Sequence, residues 1–402
     1  MSRITGAVLV CAPDRGDPWR RVGGLPLIER LLRQLGRVDG LEEIVVVCSP
    51  AFPPIASTRW VRATVRRVDV DEATPWTMLR RAGDRLPERF VMAASDLVVD
   101  QRLFAWLVEQ EGDVLIAARD GVPSELLGCM HRAALQLVAL NLAAAVTLDT
   151  FPAYSKEQRG DVPIHLLRIR NEADVEPAWA ILLDSVEKRT KDLPATLFDP
   201  PIENFLVRLL APTRITPNQV TVLTTILGFF VAWLFLQGWL LSGVILAIAV
   251  EVLDGVDGKL ARLKYMTSKL GELEHMLDFF YENSWWLSLG AWFAGQGAAW
   301  AWPAALMLCA SDLADNFAYL FFKRRTPLPS EGRGARGERS LNLDEATPLL
   351  SRFRLIAGRR NIYVWMLLPG VVFGFGSTAF ALAVAWAVAT AATHWYLAAT
   401  IP

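Results

Sequence analysis

Cysteine is scarce in this chain. The four residues, Cys11, Cys48, Cys129 and Cys309, are scattered along 402 positions. Their spacing fits neither a disulfide framework nor a metal-ligand set, and it agrees with a reducing, cytoplasmic setting. Net charge is missing too. Lys and Arg number 41 against 42 Asp and Glu, so the formal charge is −1 and no global basic field marks a nucleic-acid partner. A signal peptide is not evident. The opening MSRITGAVLVCAPDRG holds one short apolar run that breaks into Pro, Asp, Arg and Gly without a small-residue cleavage site, so it reads as a buried strand. No internal repeat or pair of broken helices is visible, which counts against a transporter.

What the chain does have is apolar residue, 53% of the total, with a mean hydropathy of +0.29. Its length exceeds one ordinary core, so at least two domains are expected. Composition changes near residue 190. Before it, short apolar runs such as EEIVVVCSP and RFVMAASDLVV alternate with helical patterns such as PLIERLLRQLGRV and RLFAWLVEQ. That alternation predicts a soluble α/β, Rossmann-like domain over 1–190 with a mainly parallel sheet. After it, long runs with few charges follow, beginning with TVLTTILGFFVAWLFLQGWL at Thr221. A spanning helix needs about 20 mostly apolar residues. Residues 191–402 therefore read as an all-α polytopic membrane domain of about six spans, with Trp near the ends of the runs as an aromatic belt requires.

Lys and Arg set the expected orientation. The loop 323–360 is rich in Arg, and basic residues also precede the first span (Lys188, Arg189, Lys191, Arg208, Arg214) and follow the second (Lys259, Arg262, Lys264, Lys269). All three segments are expected on the cytoplasmic side, with the N-terminal domain, at the cell's inner (cytoplasmic) membrane. PPIENFLVRLLAPTR is amphipathic and reads as a helix lying in the interface of the lipid bilayer.

The chemistry gathers in EVLDGVDGKLARLKYMTSKLGELEHMLDFFYEN. Asp254 and Asp257 stand at i, i+3 on the second span, with Gly258 and Ala261 one turn on. Carboxylates inside a membrane helix usually mark a function. Two of them beside small residues make a concave negative patch suited to a hard divalent cation, and Arg262 adds a charge for phosphate. The third span offers Glu274, Asp278 and Glu282 at i, i+4, i+8, again on one face. Facing helices that each carry carboxylates can build a two-metal site. The structural alternatives are a polar cluster at Asp254 and Asp257, and solvated positions at Glu274 and Asp278 before the span begins. Asp312, Asp315 and Asn316 either line the cavity or face the cytoplasmic end of the fourth span, the second being preferred, and His275 reads as a neighbour of the site, since hard cations prefer oxygen.

At these residues the sequence resembles the CDP-alcohol phosphotransferase (phosphatidyltransferase) family, whose pattern is D-x-x-D-G-x-x-A-R, then G, then D-x-x-x-D. D-G-V-D-G-K-L-A-R, Asp254 to Arg262, matches the first half at every fixed position. Gly271 matches next. Without a gap the last two positions fall on His275 and Phe279; one deletion after Leu273 places Glu274 and Asp278 there instead. TPNQVT before the first span is a further family-like feature. The resemblance implies an integral membrane transferase that passes a phosphoalcohol group from a CDP-alcohol donor to an alcohol or lipid acceptor and releases CMP. It implies Mg²⁺ or Mn²⁺ held by Asp254, Asp257, Glu274 and Asp278, with Asp278 as general base. It places the CDP group on Asp254, Gly258, Ala261 and Arg262. Arg359 and Arg360 are candidates for an anionic acceptor, and a homodimer is the family's common state.

The N-terminal half resembles the nucleotidyltransferases. AVLVCAPDRGDPWRRVGGLPLIERLLRQL corresponds to their opening strand, phosphate loop and V-x-G-x-P-L-I-x-R segment. The loop reads CAPDRGDP, in which Pro13 removes a backbone donor, and the Lys before P-L is absent. Asp96 lies at the metal-binding position, but Arg168 and Arg170 occupy the region of the second carboxylate. A degenerate domain is therefore preferred over an active one. The domain order, with the junction SVEKRTKDLPATLFDPPIENFLVRLL, resembles the fused inositol-phosphate cytidylyltransferase and di-inositol-phosphate phosphate synthase enzymes, which suggests an inositol-like alcohol. Three other readings stay open: a bifunctional enzyme, a lipid synthase, and a non-catalytic membrane protein that binds nucleotide or lipid and regulates a partner.

Overall fold

The computed structural model describes residues 4–55, 58, 60–117, 123–136, 144–266, 270–325, 343 and 348–400. The N-terminal half is built on a seven-stranded sheet. An interior strand, Gly6–Cys11, is buried along its whole length and pairs in parallel with Glu43–Cys48 on one side and Arg89–Ala94 on the other. Continuous apolar runs of this kind suit a sheet covered on both faces. Thr64–Asp69 extends one edge in parallel, whereas Pro123–His131 is antiparallel between Arg89–Ala94 and Val114–Ala117. Ala144–Thr147 completes the other edge. Helices α1 (Leu27–Leu35), α2 (Pro75–Ala82), α3 (Gln101–Val108) and α4 (Val175–Ser185) accompany the strands. The starts follow local chemistry: Thr74 and Thr77 form a reciprocal cap on α2, with Pro75 in its first turn.

The C-terminal half is helical. It comprises α5 (Leu193–Leu197), α6 (Asp199–Leu210), α7 (Pro217–Leu236), α8 (Leu240–Leu263), α9 (Leu270–Gly295), α10 (Ala301–Arg325), α11 (Pro348–Phe353), α12 (Arg360–Val372) and α13 (Gly376–Thr400). In the TPNQVT segment Thr216 caps α7, Gln219 returns the bond and Pro217 opens the helix. By length and composition α7, α10 and α13 can cross a membrane. Helices α8 and α9 are as long but carry the carboxylates, and α12 is shorter and contains Pro369.

The bundle packs around aromatic side chains. Trp285 is fully buried and its indole N–H donates to the Gly228 carbonyl at 2.7 Å. Gly228 makes this approach possible, because a Cβ there would lie 2.7 Å from the Tyr281 ring. The outward faces keep Ile226, Phe229, Phe230 and Trp233 exposed, as a helix facing lipid does.

The two halves meet at the end of α8. The last carbonyls of a helix have no partners within it. Here α1 supplies them. Arg30, wholly buried, donates to the Leu263 carbonyl at 3.1 Å, and Arg33 donates to that of Lys264 at 2.7 Å. Positive charge at a helix C-terminus also complements its dipole. Tyr265 follows in a left-handed conformation with φ 52°, its hydroxyl accepting from Gln34 and its ring facing the guanidinium groups of Arg30 and Arg37. Gly24, at φ 79°, lets the strand turn rest on Ala211, where a Cβ would come within 2.3 Å of a carbonyl oxygen. Arg30 also donates to the Val22 and Gly23 carbonyls, so Arg30→Met should leave these and the Leu263 carbonyl without that donor, at about 1–3 kcal/mol for each left unsatisfied. The expected outcome is a lower melting temperature for the detergent-purified protein and faster proteolysis near Tyr265. An unchanged melting curve would show that the contact contributes nothing.

Candidate active site

Helix α8 brings its charged residues to one large cavity of about 910 Å³. Glu251, Asp254, Gly258 and Arg262 follow the i, i+3, i+4 spacing of a single face, and all four line it. Helix α9 contributes Asp278 and Glu282, and the start of α12 contributes Arg359, Arg360 and Asn361. Asp257 is placed differently. It is 2% exposed, it is not among the lining residues, and it accepts from the Thr221 hydroxyl of α7 at 2.7 Å. Three residues rotate a helix by about 300°, so Asp257 sits to one side of Asp254, against α7. Ala261 is likewise absent from the described lining. The side chains of Gly271, Glu274 and His275 lie outside the described residues.

Arg360 is the positive charge of the site. One guanidinium nitrogen donates to Asp254 Oδ2 at 2.9 Å; another donates to Glu282 Oε1 at 2.5 Å and to the Tyr281 hydroxyl at 2.6 Å. It therefore ties α8, α9 and α12 together. Arg359 turns toward α10 and donates to the Tyr319 hydroxyl at 2.9 Å. Arg262 donates to the Val186 carbonyl at 2.8 Å, which fixes its head beside the end of α4.

A second group of charges at the same cavity ties the motif helix to α6 and to the segment after α4. Lys259, in a variable position of the motif, is 1% exposed and binds Glu203 at 2.7 Å, Asn204 at 2.8 Å and Glu187. Lys191 joins Glu187 and Glu203. Gly255 is required by this network: a Cβ there would meet the Glu203 carboxylate at 1.9 Å. One turn before Glu203, Asp199 is pushed up to about 6 by burial and then by the Glu203 charge. None of Glu251, Glu203 or Asp199 was singled out from the sequence, and Lys259 only as a basic residue setting the orientation. Their signal was a charge inside an otherwise apolar helical stretch. Asp312, Asp315 and Asn316 correct an expectation, since they line the cavity and do not merely mark a helix end. Asp312 accepts from Asn283 at 3.3 Å and Asp315 contacts His394 at 2.5 Å, so both are held by neighbouring helices.

The donors facing the cavity from α8 and α9 are carboxylate oxygens, the ligands that hard divalent cations take. The donor chemistry thus fits Mg²⁺ or Mn²⁺. Among the described residues no three His, Cys, Asp or Glu groups converge closely enough to hold an ion.

The N-terminal half presents a different arrangement. Asp96 is fully buried, and both its oxygens accept from arginines: Arg15 at 3.1 and 2.9 Å on one, Arg168 at 2.8 Å on the other. Two fixed guanidinium groups occupy the place where a cation would approach. The loop also lies close against the sheet, since a Cβ at Gly16 would stand 2.4 Å from the Ile169 carbonyl oxygen. Arg170 pairs with Asp174 at 3.2 Å.

Residues 214–389 match the family model described as CDP-alcohol phosphatidyltransferase. A bifunctional IPC transferase and DIPP synthase of Thermococcus kodakarensis is 37% identical over 99 residues, 24% of this chain and 22% of that protein. The protein of the same name from Rubrobacter xylanophilus is 26% identical over 300 residues, covering 64% of this chain and 68% of its own length. The chain thus spans about a quarter of the length of the first relatives it matches. The phosphatidylinositol phosphate synthase of Mycobacterium tuberculosis, solved with CDP-DAG bound, aligns with 50% of this chain and 94% of its own at 20% identity and a TM-score of 0.36.

The raised Asp199 gives a signed pH dependence. The folded state holds its proton more tightly than the unfolded chain does, so stability falls as pH rises from about 4 to about 6. Asp199→Asn should flatten that fall in pH-dependent thermal unfolding. An identical pH profile in the variant would contradict the assignment.

Proposed function

We propose that this chain, whose residues 214–389 are a CDP-alcohol phosphatidyltransferase domain, is an integral membrane enzyme that moves a phosphoalcohol group from a CDP-alcohol to a hydroxyl acceptor and releases CMP. The observation that carries the proposal is that Asp254, Gly258, Arg262 and Asp278, from both halves of the motif, line one cavity large enough for a nucleotide and an alcohol. We assign α7, α8, α9, α10, α12 and α13 as the membrane-spanning unit, with the α/β half on the cytoplasmic side of the inner membrane.

The chemistry is a displacement at phosphorus. The acceptor oxygen forms a bond to the phosphorus that bears the alcohol, the bond from that phosphorus to the CMP oxygen breaks, and CMP leaves with the electron pair. Asp278, half-buried on the cavity wall, is the base that receives the hydroxyl proton. Gly258 leaves room for the cytidine group, and Arg262 presents its charge to the diphosphate. Asp254, Asp257, Glu274 and Asp278 would hold Mg²⁺ or Mn²⁺, which neutralises charge on the diphosphate when bound. Arg360 is the cation already between Asp254 and Glu282, and Arg359 stands next to it for an anionic acceptor group.

We further propose that the α/β half transfers no nucleotide. The double guanidinium clamp on Asp96 supports this. Its role is to hold the end of α8 through Arg30 and Arg33. The bifunctional reading draws on the Rubrobacter match, which is long enough to include both halves.

Two measurements follow. Detergent-purified protein should release CMP from a panel of CDP-inositol, CDP-diacylglycerol and CDP-glycerol in a Mg²⁺- or Mn²⁺-dependent manner, and Asp278→Asn should lower the rate at least about 100-fold. Metal-independent release, or an active Asp278→Asn, would overturn the mechanism. The same protein should form no pyrophosphate from CTP and a polyol phosphate; pyrophosphate lost on Asp96→Asn would establish the bifunctional reading.

A further inference from the structure

A hairpin of the α/β half reaches the cavity of the membrane half. Tyr154–Ser155 and Gly160–Asp161 pair antiparallel, and the loop between them, 156–159, ends at Arg159. Arg159 lines the same cavity as Asp254, Gly258 and Asp278. Its backbone is left-handed, with φ 55°. That region is disfavoured for a residue with a long side chain, and glycine or asparagine is its usual occupant. The guanidinium has no hydrogen-bond or ion-pair partner among the described residues, so no protein contact accounts for an arginine at a glycine-type position. Strained backbone of this kind clusters at ligand sites. The loop is also held in place. The Arg159 carbonyl accepts from the Thr190 hydroxyl at 2.9 Å, and the Arg189 N–H donates to the Gln158 carbonyl at 2.8 Å. A Cβ at Gly160 would come within 2.5 Å of the Arg189 Cβ. Segment 186–192, which receives the loop, is bonded in turn to the membrane half: Arg262 donates to the Val186 carbonyl, Lys259 binds Glu187, and Arg354 donates to the Thr190 carbonyl at 3.2 Å.

We infer that Arg159 binds the diphosphate of the nucleotide donor, so that the α/β half contributes a side chain to the transferase site. The inference rests on the transferase reading. It adds a binding residue from outside the helical half and outside residues 214–389. A guanidinium stays charged and meets phosphate oxygens with paired N–H donors. Glu157, in the same loop, is the foremost acidic charge acting on Arg262. The loop therefore faces the end of α8, where Arg262 is assigned to the diphosphate. Lys188 adds a further positive charge to the lining there. Arg359 and Arg360, the candidates for an anionic acceptor, enter from the start of α12, a separate wall. A diphosphate carries more charge than one arginine neutralises, so a second guanidinium from the hairpin suits it.

The left-handed backbone gives stability and binding opposite signs, and the test uses this. Full-length protein in detergent with Mn²⁺ is titrated with CDP and with glycerol 3-phosphate, and its thermal melting is followed. Arg159→Gly removes the guanidinium but suits the backbone, so it should melt no lower than wild type. It should weaken CDP at least about fivefold and leave Mn²⁺ and glycerol 3-phosphate binding unchanged. Arg159→Lys keeps the charge and should bind CDP more tightly than the glycine variant does. Equal CDP binding by wild type and Arg159→Gly overturns the inference. A loss confined to glycerol 3-phosphate also overturns it, because the residue would then serve the acceptor. A lower melting temperature with parallel loss of CDP and Mn²⁺ overturns it as well, since the side chain would then be structural. So does a lysine variant as weak as the glycine one. Wild type that binds no CDP refutes the transferase reading itself.

Discussion

Carboxylates buried in an apolar bundle must be matched by positive charge or by hydrogen-bond donors, and much of the architecture around α8 answers that need. Arg360 meets Asp254 and Glu282, the Thr221 hydroxyl meets Asp257, and Lys259 meets Glu187 and Glu203. Each partner arrives from a different element. The pairing therefore fixes where α6, α7, α9 and α12 stand around the motif helix. Removing one partner of such a pair leaves a buried charge behind, which is far more damaging than losing a surface ion pair. Apolar packing sets the remaining distances, with Gly228 letting the Tyr281 and Trp285 side chains of α9 lie directly on the α7 backbone.

On the proposed reading the α/β half keeps a fold without its chemistry. The sheet, the opening loop and Asp96 are all in place, but the aspartate is held by Arg15 and Arg168. Arg30, which closes the V-x-G-x-P-L-I-x-R segment, caps the last turn of α8. A residue belonging to a nucleotide-site pattern thus serves a structural contact with the membrane half. Fold and site are separable in this way because a fold depends on the whole core, while a site depends on a few side chains.

Much of the fold was legible along the chain. The fully apolar runs GAVLVC and EIVVVC could only be covered strands, and TPNQ carried its own cap for α7. The motif was legible as well, since Asp254, Gly258 and Arg262 share a face at helical spacing. The antiparallel Pro123–His131 strand inside a parallel sheet was not, because pairing direction depends on how a connection returns through space. Helix α12 runs through Pro369 to Val372, and Gly374 at φ 80° makes the turn before α13.

The sequence by itself determined the two-part organisation, the motif and the chemical character of its donors, because hydrophobic periodicity and helical spacing are local properties. Only the tertiary structure decided that Asp257 faces Thr221, that Arg360 enters the carboxylate cluster and that Glu251 is buried without a donor among the described residues. Those outcomes depend on which helices become neighbours, and charges more than a hundred residues apart meet only after the bundle has closed.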